Sequence, residues 1–385
     1  MGYSKGGYSK WDTCSRIADC RILANQTKGG EKLETIGIGI DISKKKADVC
    51  IRSESKTLES FIISNDSDGI KQLQDRLEPY KNRSRVTMES TGNLWIVMYE
   101  KLQEQGLSLS LANPLKTKAI AEAKIKHDKL DAAVLADLAR VDLIAKCYVP
   151  DHTTRMVRDL IRHRIDLAQK RTQLKNKIHS ILDKYCICYD GTLFSESGLQ
   201  WIKSQHLDKI DSCIINSQLQ QIEVLNQLIQ DVEVEIASIA IHDKRVELLL
   251  GFCGIDYYGA MLILYEIGDI TRFNNPKKLV SWVGLAPSLH QSGNMTYTGR
   301  ITKHGNKRIR WYLAEAAQHA ARYDPKLKPF YERIKNKKGH QKAIVAVARK
   351  MLVSIYWVLT RNELYDGHRE DLQKRKVNKL RKLVQ

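Results

Sequence analysis

The sequence predicts a mixed α/β domain followed by an almost wholly helical remainder, and three patterns carry that prediction. Between Thr35 and about residue 150, short apolar runs alternate with helix-like stretches; from about 153 to 240, apolar residues recur every seven; beyond Lys244, glycine-punctuated helices take over. At 385 residues the chain is long enough for two or three domains with ample cores.

Residues 1–34 are polar and glycine-rich, repeat Gly-Tyr-Ser-Lys, and read as a flexible leader without the apolar core of a signal peptide. From 35 to 150 the reading is three strands (36–42, 47–52, 58–63), a helix over 68–80, a strand at 85–89, a helix over 93–105, a strand at 107–111 and helical sequence after Pro114. This β-β-β-α-β-α-β-α order is that of the ribonuclease H-like fold, in which the first and fourth strands are neighbours. Asp41 lies on the first of these strands and Glu89 at the end of the fourth, so the two acids are expected to converge.

Residues 151–243 carry two heptad series, Leu160, Leu167, Leu174 and Ile181, then Ile215, Ile222, Ile229 and Ile236, the second with Leu225, Val232 and Ile239 in the d register. The break at 189–198 between them predicts an antiparallel coiled-coil hairpin, self-paired or pairing with another subunit. Residues 244–365 read as a mainly helical domain. It opens with a helix-hairpin-helix-like element around Gly251-Phe252-Cys253-Gly254, passes through a loop at 290–294, and continues in helices over about 307–322 and 341–360. Trp282, Trp311 and Trp357 read as core. Residues 366–385 form a basic tail.

Composition points to a polyanionic partner. The chain has 63 Lys+Arg against 44 Asp+Glu, and from Tyr297 to Gln385 there are 23 basic and 7 acidic residues, so 23 − 7 = +16 of the net +19 lies at that end. The scattered cysteines read as reduced thiols, and no stretch reaches the eighteen or so uninterrupted apolar residues of a spanning helix, so the expected setting is cytoplasmic and the expected partners include no membrane.

Four acids in different local contexts, Asp41, Glu89, Asp128 and Asp131, together look like one metal site. Carboxylates at the ends of apolar strands are costly to bury unpaired. Hard divalent cations such as Mg²⁺ or Mn²⁺ favour oxygen ligands, and two of them roughly 3.5–4 Å apart clamp the attacking and leaving oxygens of a phosphodiester. Asp128 and Asp131, read as three apart on one helix, would face the same way, although for that pair alone ordinary solvated helix acids are the better reading; Asp137 and Asp142 are assigned to the ordinary class. Phosphoryl chemistry on a nucleic acid is the first hypothesis.

Gly39-Ile40-Asp41, Met88-Glu89-Ser90-Thr91-Gly92 and Asp128-Lys129-Leu130-Asp131-Ala132, followed by Gly284-Leu285-Ala286-Pro287 to Ser292-Gly293 and Gly299-Arg300-Ile301 to Lys303-His304-Gly305-Asn306, resemble the blocks of the DEDD-type insertion-sequence transposases. These are bridge-RNA-guided serine recombinases related to the Piv DNA invertases, and the resemblance spans roughly residues 36–365. It implies a RuvC-like domain whose four metal-binding acids are Asp41, Glu89, Asp128 and Asp131, and a C-terminal serine nucleophile, Ser292, that becomes joined to DNA. It also implies an element-encoded guide RNA, donor and target DNA as substrates, a bacterial or archaeal, nucleoid-associated setting, and a dimer or tetramer with active sites shared between subunits.

Arg300, Lys303, Lys307 and Arg310, with Arg162, Arg164 and Arg171 on the first heptad helix, are candidate backbone contacts. The rival readings are a metal-dependent, structure-selective nuclease in which water attacks, and a nucleic-acid-binding scaffold without catalysis. Ser288 is the nearest competing serine. Tyr257, Tyr258 and Tyr297 lack the Arg-His-Arg surroundings of a tyrosine nucleophile.

Overall fold

The structure is a computed structural model in which residues 35–90, 92–124, 131–292 and 295–384 are described; the leader, Asp128 and residues 293–294 lie outside them. The chain divides into two compact units, residues 1–149 and 150–385.

The first unit runs β1 (Ile36–Ile42), β2 (Lys46–Arg52), β3 (Thr57–Ser64), α1 (Ser67–Leu77), β4 (Ser84–Glu89), α2 (Ile96–Glu104), β5 (Leu109–Ala112), α3 (Pro114–Lys124) and α4 (Ala132–Arg140). The sheet order is β3-β2-β1-β4-β5. β1, β2 and β3 pair antiparallel, while β4 joins β1 and β5 joins β4 in parallel. The element order is the one the apolar runs predict, and β1 and β4 are neighbours as expected.

Side-chain alternation decides what each face of the sheet carries. Ile36, Ile38, Ile40 and Ile42 pack with Val49, Ile51, Val86 and Met88 against Ile70, Leu73 and Leu77 of α1 and Met98 and Leu102 of α2. On the opposite face β1 presents Gly37 and Gly39, and α4 lies against them so closely that a Cβ on Gly39 would stand 1.9 Å from the Ala132 carbonyl oxygen. The Arg52–Asp137 ion pair, 2.7 Å, fastens β2 to the same helix, so Asp137 is a structural anchor and not a merely solvated acid. Gly39→Ala is therefore expected to destabilise this unit by about 3 kcal/mol, because the backbone of α4 has to move to admit one methyl group. A thermal melt should show a drop of roughly 10 °C.

The second unit contains α5 (His152–Lys184), α6 (Glu196–Ser204), α7 (Lys209–Ala240), α8 (Lys244–Leu250), α9 (Tyr257–Ile267), α10 (Pro276–Val283), β6 (Pro287–Ser292), β7 (Met295–Ile301), α11 (Lys307–Tyr323), α12 (Leu327–Lys338), α13 (His340–Arg361) and α14 (Glu370–Val384). α5 and α7 form the antiparallel hairpin: Lys184 reaches Asp211, Arg171 reaches Asn226 and Arg164 reaches Glu233, so rising numbers on one helix meet falling numbers on the other. Ile215, Ile222, Ile229 and Ile236 are all buried. On α5 two of the four heptad positions, Leu167 and Ile181, are buried, joined by Val157, Ile161, Ile165, Ile178 and Leu182, while Leu160 and Leu174 are only half-buried; the upper part of α5 also packs on α9.

α9 and α13 form the middle of the C-terminal core. α13 is, by length and composition, apolar enough to cross a membrane, and here it buries Val347, Ala348, Met351, Leu352 and Ile355 among its neighbours. Two expectations are corrected. Trp311 and Trp357 are 55% and 41% exposed, because each falls on the outer face of an amphipathic helix and not in the core. The basic tail is largely the helix α14, whose Leu380 is buried in the C-terminal core.

Candidate functional site

In the first unit, β1 and β4 run parallel with Ile40 beside Met88, so Asp41 and Glu89 each follow a paired residue at the ends of adjacent strands. Both lie on the face that carries Gly39 and Thr87, the face covered by α4, and both are half-buried. Asp131 is exposed and does not sit inside a helix. It is the N-cap of α4, where its Oδ1 accepts from the Val134 N–H at 2.8 Å, and the next residue, Ala132, is the one that touches Gly39. The expectation that Asp128 and Asp131 share one helical face is therefore corrected, because the regular helix begins only after Asp131; Asp128 is outside the described residues.

Cys50, paired with Gly39 across β1 and β2, reports the same neighbourhood. Burial raises its thiol pKa, Arg52 opposes that rise, and the carboxylates of Asp137 and Asp131 add to it. Asp131 thus stands close to the strand that delivers Asp41.

The sequence reading passed over one acid on this face. Asp48 lies directly opposite Asp41 in the β1–β2 register, with Lys46 Nζ 3.2 Å from its carboxylate. Like charges facing each other across a strand pair are unfavourable unless a cation intervenes. The tight β1–β2 connection could have revealed it, since a short hairpin loop fixes which residues oppose each other. The donors on this rim are all carboxylate oxygens, which suits a hard divalent ion in kind. Among the described residues, however, no three His, Cys, Asp or Glu side chains are gathered closely enough to hold a metal ion.

In the second unit, the segment around Ser292 is a hairpin and not an open loop. β6 and β7 pair antiparallel, and Ser292, opposite Met295, is the last residue of β6. The base of the hairpin is fixed by backbone bonds from Thr302 N–H to Ala286 O (2.9 Å) and from Lys303 N–H to Gly284 O (3.2 Å).

Beneath the base is a buried polar network. Asn306 caps α11 by accepting from the Arg308 and Ile309 N–H groups, both at 3.0 Å, and its Nδ2 donates to Glu266 Oε2 at 2.7 Å. Glu266 is 2% exposed. It also receives both arms of Arg162, Nε at 2.7 Å and Nη2 at 2.9 Å, while Arg158 Nε donates to the Tyr265 carbonyl at 2.9 Å. Burial alone would raise the Glu266 pKa, but the Arg162 pair and the Asn306 bond outweigh it and hold the carboxyl below its ordinary value. The network joins the coiled-coil helix α5, the core helix α9 and the strand-to-helix connection below Ser292. Sequence reading missed Glu266, although an acid inside the apolar run 258–267 is a signal that a buried partner exists.

The candidate backbone contacts divide into two groups. Arg162 is committed to Glu266, Arg164 to Glu233 and to the ring of Tyr258 (4.4 Å), Arg171 to Asn226, and Arg310 Nη1 to the Val283 carbonyl at 2.7 Å. Arg300, Lys303 and Lys307 are exposed around the hairpin and the start of α11. Tyr257 and Tyr258 are both pushed up to about 12 by burial, which makes their hydroxyls poor sources of a phenolate.

Comparison with known proteins gives a consistent neighbourhood. Residues 38–187 match the DEDD-type IS110 family model described as a transposase, and residues 246–332 match the model described as the transposase IS116/IS110/IS902 family. The transposase for insertion sequence element IS1111A of Coxiella burnetii is 26% identical over 296 residues, 73% of this chain and 79% of that protein. The putative transposase y4qE of Sinorhizobium fredii is 28% identical over 205 residues, 53% of this chain and 50% of that protein. The pilin gene-inverting protein of Moraxella bovis is 26% identical over 347 residues, 86% of this chain and 97% of that protein.

Proposed function

The chain belongs to the IS110/IS116 transposase family, and on that premise we propose that it cuts and rejoins the DNA of an insertion sequence through Ser292, with a divalent-metal site of acids supplied by a RuvC-like first unit. The observation that carries the reading is the placement of Asp41 and Glu89 at the ends of adjacent parallel strands, on the face where Asp131 caps α4. Those three with Asp128 are the residues that would hold Mg²⁺ or Mn²⁺, which when bound supplies charge neutralisation and Lewis-acid polarisation at the scissile phosphate.

The remaining roles fall to the chain's own groups. The Ser292 Oγ attacks phosphorus, an Oγ–P bond forms as the P–O3′ bond breaks, the serine proton is lost, and the departing strand leaves with a 3′-hydroxyl. The resulting 5′-phosphoserine link preserves the number of phosphoester bonds, so attack by another 3′-hydroxyl rejoins DNA without ATP. A hairpin tip footed on the Glu266–Arg162–Asn306 network keeps the serine backbone in place while its base is held rigid. Arg300, Lys303 and Lys307 neutralise the approaching backbone.

The reading extends to partners. A structured guide RNA encoded by the element fits the cationic C-terminal region, where α12 alone exposes Lys328, Arg333, Lys335, Lys337 and Lys338. Oligomerisation through the coiled coil is supported by Ile210, Ile214, Val224 and Leu228, exposed apolar residues that fall on one stripe of α7. The acids and Ser292 lie on different compact units, which suits a site completed between subunits.

The test is a denaturing gel of purified protein incubated with labelled DNA spanning the element junction, RNA transcribed from its flanks, and Mg²⁺ or EDTA. The proposal predicts a retained protein–DNA band that needs the metal. Cleaved ends without a retained band would replace the serine step by hydrolysis, the chemistry of a structure-selective nuclease.

A further inference from the structure

The turn between α8 and α9 directs three backbone carbonyls at a single cation. Lys376 Nζ of α14 donates to Leu250 O at 2.9 Å, Phe252 O at 2.6 Å and Ile255 O at 2.6 Å. One turn earlier on the same helix face, Gln373 Nε2 donates to Glu247 O at 2.8 Å, and Leu380 follows into the core. Two of these carbonyls, Glu247 and Leu250, belong to the last turn of α8, where no intrahelical N–H remains to satisfy them. The turn that gathers the others is tightly constrained: Gly254 has φ +84°, and a Cβ there would stand 2.5 Å from the Ala316 carbonyl oxygen. The three oxygens are therefore held by the fold of α8, α9 and α11 as well as by the lysine.

We propose that the α8–α9 turn is a monovalent-cation site, built from the carbonyls of Leu250, Phe252 and Ile255, whose resident cation is the Lys376 ammonium. Convergent carbonyls replace the hydration shell of K⁺ in proteins, and an ammonium group is close to K⁺ in size and charge. Burial makes this ammonium costly, drawing the Lys376 pKa down to about 8 with the Asp256 carboxylate opposing the fall, as expected for a cation supported mainly by neutral dipoles. α14 is thereby a latch, carrying its own counterpart of a bound ion into the turn that aims α9. Removal of the ammonium takes the charged donor from three converging oxygens, of which Phe252 O keeps only a 3.4 Å bond from the Ile255 N–H, and K⁺ takes the place. The inference is independent of the chemistry assigned to Ser292.

Thermal melts of the full-length protein and of Lys376→Met, in KCl, NaCl, LiCl and choline chloride at equal ionic strength, test it. The wild-type Tm should be the same in all four salts. The variant should melt lower in choline chloride and recover by about 3–6 °C as KCl is titrated in, saturably and more than with LiCl. Lys376→Ala, which leaves more room, repeats the comparison with KCl and with methylammonium chloride, so misfolding of the methionine variant does not decide the matter. Variants whose Tm is indifferent to K⁺ and methylammonium, or a wild type as salt-specific as the variants, overturn the proposal.

Discussion

Asp41→Asn is expected to lower DNA strand cleavage by about a thousandfold or more, a loss of roughly 4 kcal/mol of transition-state stabilisation, without lowering stability in metal-free buffer. The two effects part company for a physical reason. Asp41 faces Asp48 across the β1–β2 pair and stands near the end of the strand beside the one that delivers Glu89, so the substitution removes one of two facing like charges, which offsets what the other interactions of Asp41 lose. Asparagine keeps the shape of the side chain but offers a weaker, neutral ligand. Glu89→Gln should behave in the same way. Cleavage assays together with melts in EDTA check the pair: activity lost with Tm equal to or above wild type marks a site acid, whereas activity and Tm falling together would make Asp41 a structural residue.

Glu266→Ala is expected to have a large effect on the stability of the second unit. It strands the Arg162 guanidinium and removes the acceptor of Asn306 Nδ2, and breaking a largely buried ion pair in this way costs about 3 kcal/mol or more. For a unit of this size the Tm should fall by roughly 10 °C. The pH dependence follows from the direction of the pKa shift. The folded carboxyl titrates below its unfolded value, so its contribution is fully present above the unfolded glutamate pKa, about 4.3, and is lost as pH falls through the lower folded value. The stability gap between wild type and Glu266→Ala, measured by urea titration, should be constant from neutral pH to about 5 and narrow below about 4.

The local parts of this molecule were legible in its sequence and the long-range parts were not. Apolar runs ending in Asp41 and Glu89 located two strands and their acids, because a strand's period and its terminal charge are properties of adjacent residues. The isoleucine heptads of α7 located the coiled coil for the same reason, and the partner helix keeps Leu167 and Ile181 buried while adding off-heptad residues where α9 at one end and α6 at the other share its burial. Asp131 was misplaced on a helix face, although Asp-Ala-Ala-Val before an apolar run is equally the sequence of an N-cap, and the cap prevailed.

Glu266 escaped notice because its partners stand 104 and 40 residues away, and Lys376 because its three carbonyls are 121 to 126 residues distant. The exposed Trp311 and Trp357 show the converse: large aromatic side chains read as core until helix phase turns them outward. Arg162, Arg164 and Arg310 were counted as backbone contacts from charge alone, and the fold uses each of them to hold another part of the same chain.

The most direct test of the serine mechanism is mass spectrometry of the protein–DNA species after exhaustive nuclease and trypsin digestion. Cleavage after Lys278 and Arg300 releases one peptide, residues 279–300, that contains Ser281, Ser288 and Ser292 together. The account predicts a nucleotide remnant on this peptide, localised by fragmentation to Ser292 and absent from the Ser292→Ala protein. A remnant on Ser288 or on a tyrosine, or cleaved DNA with no modified peptide at all, would contradict it.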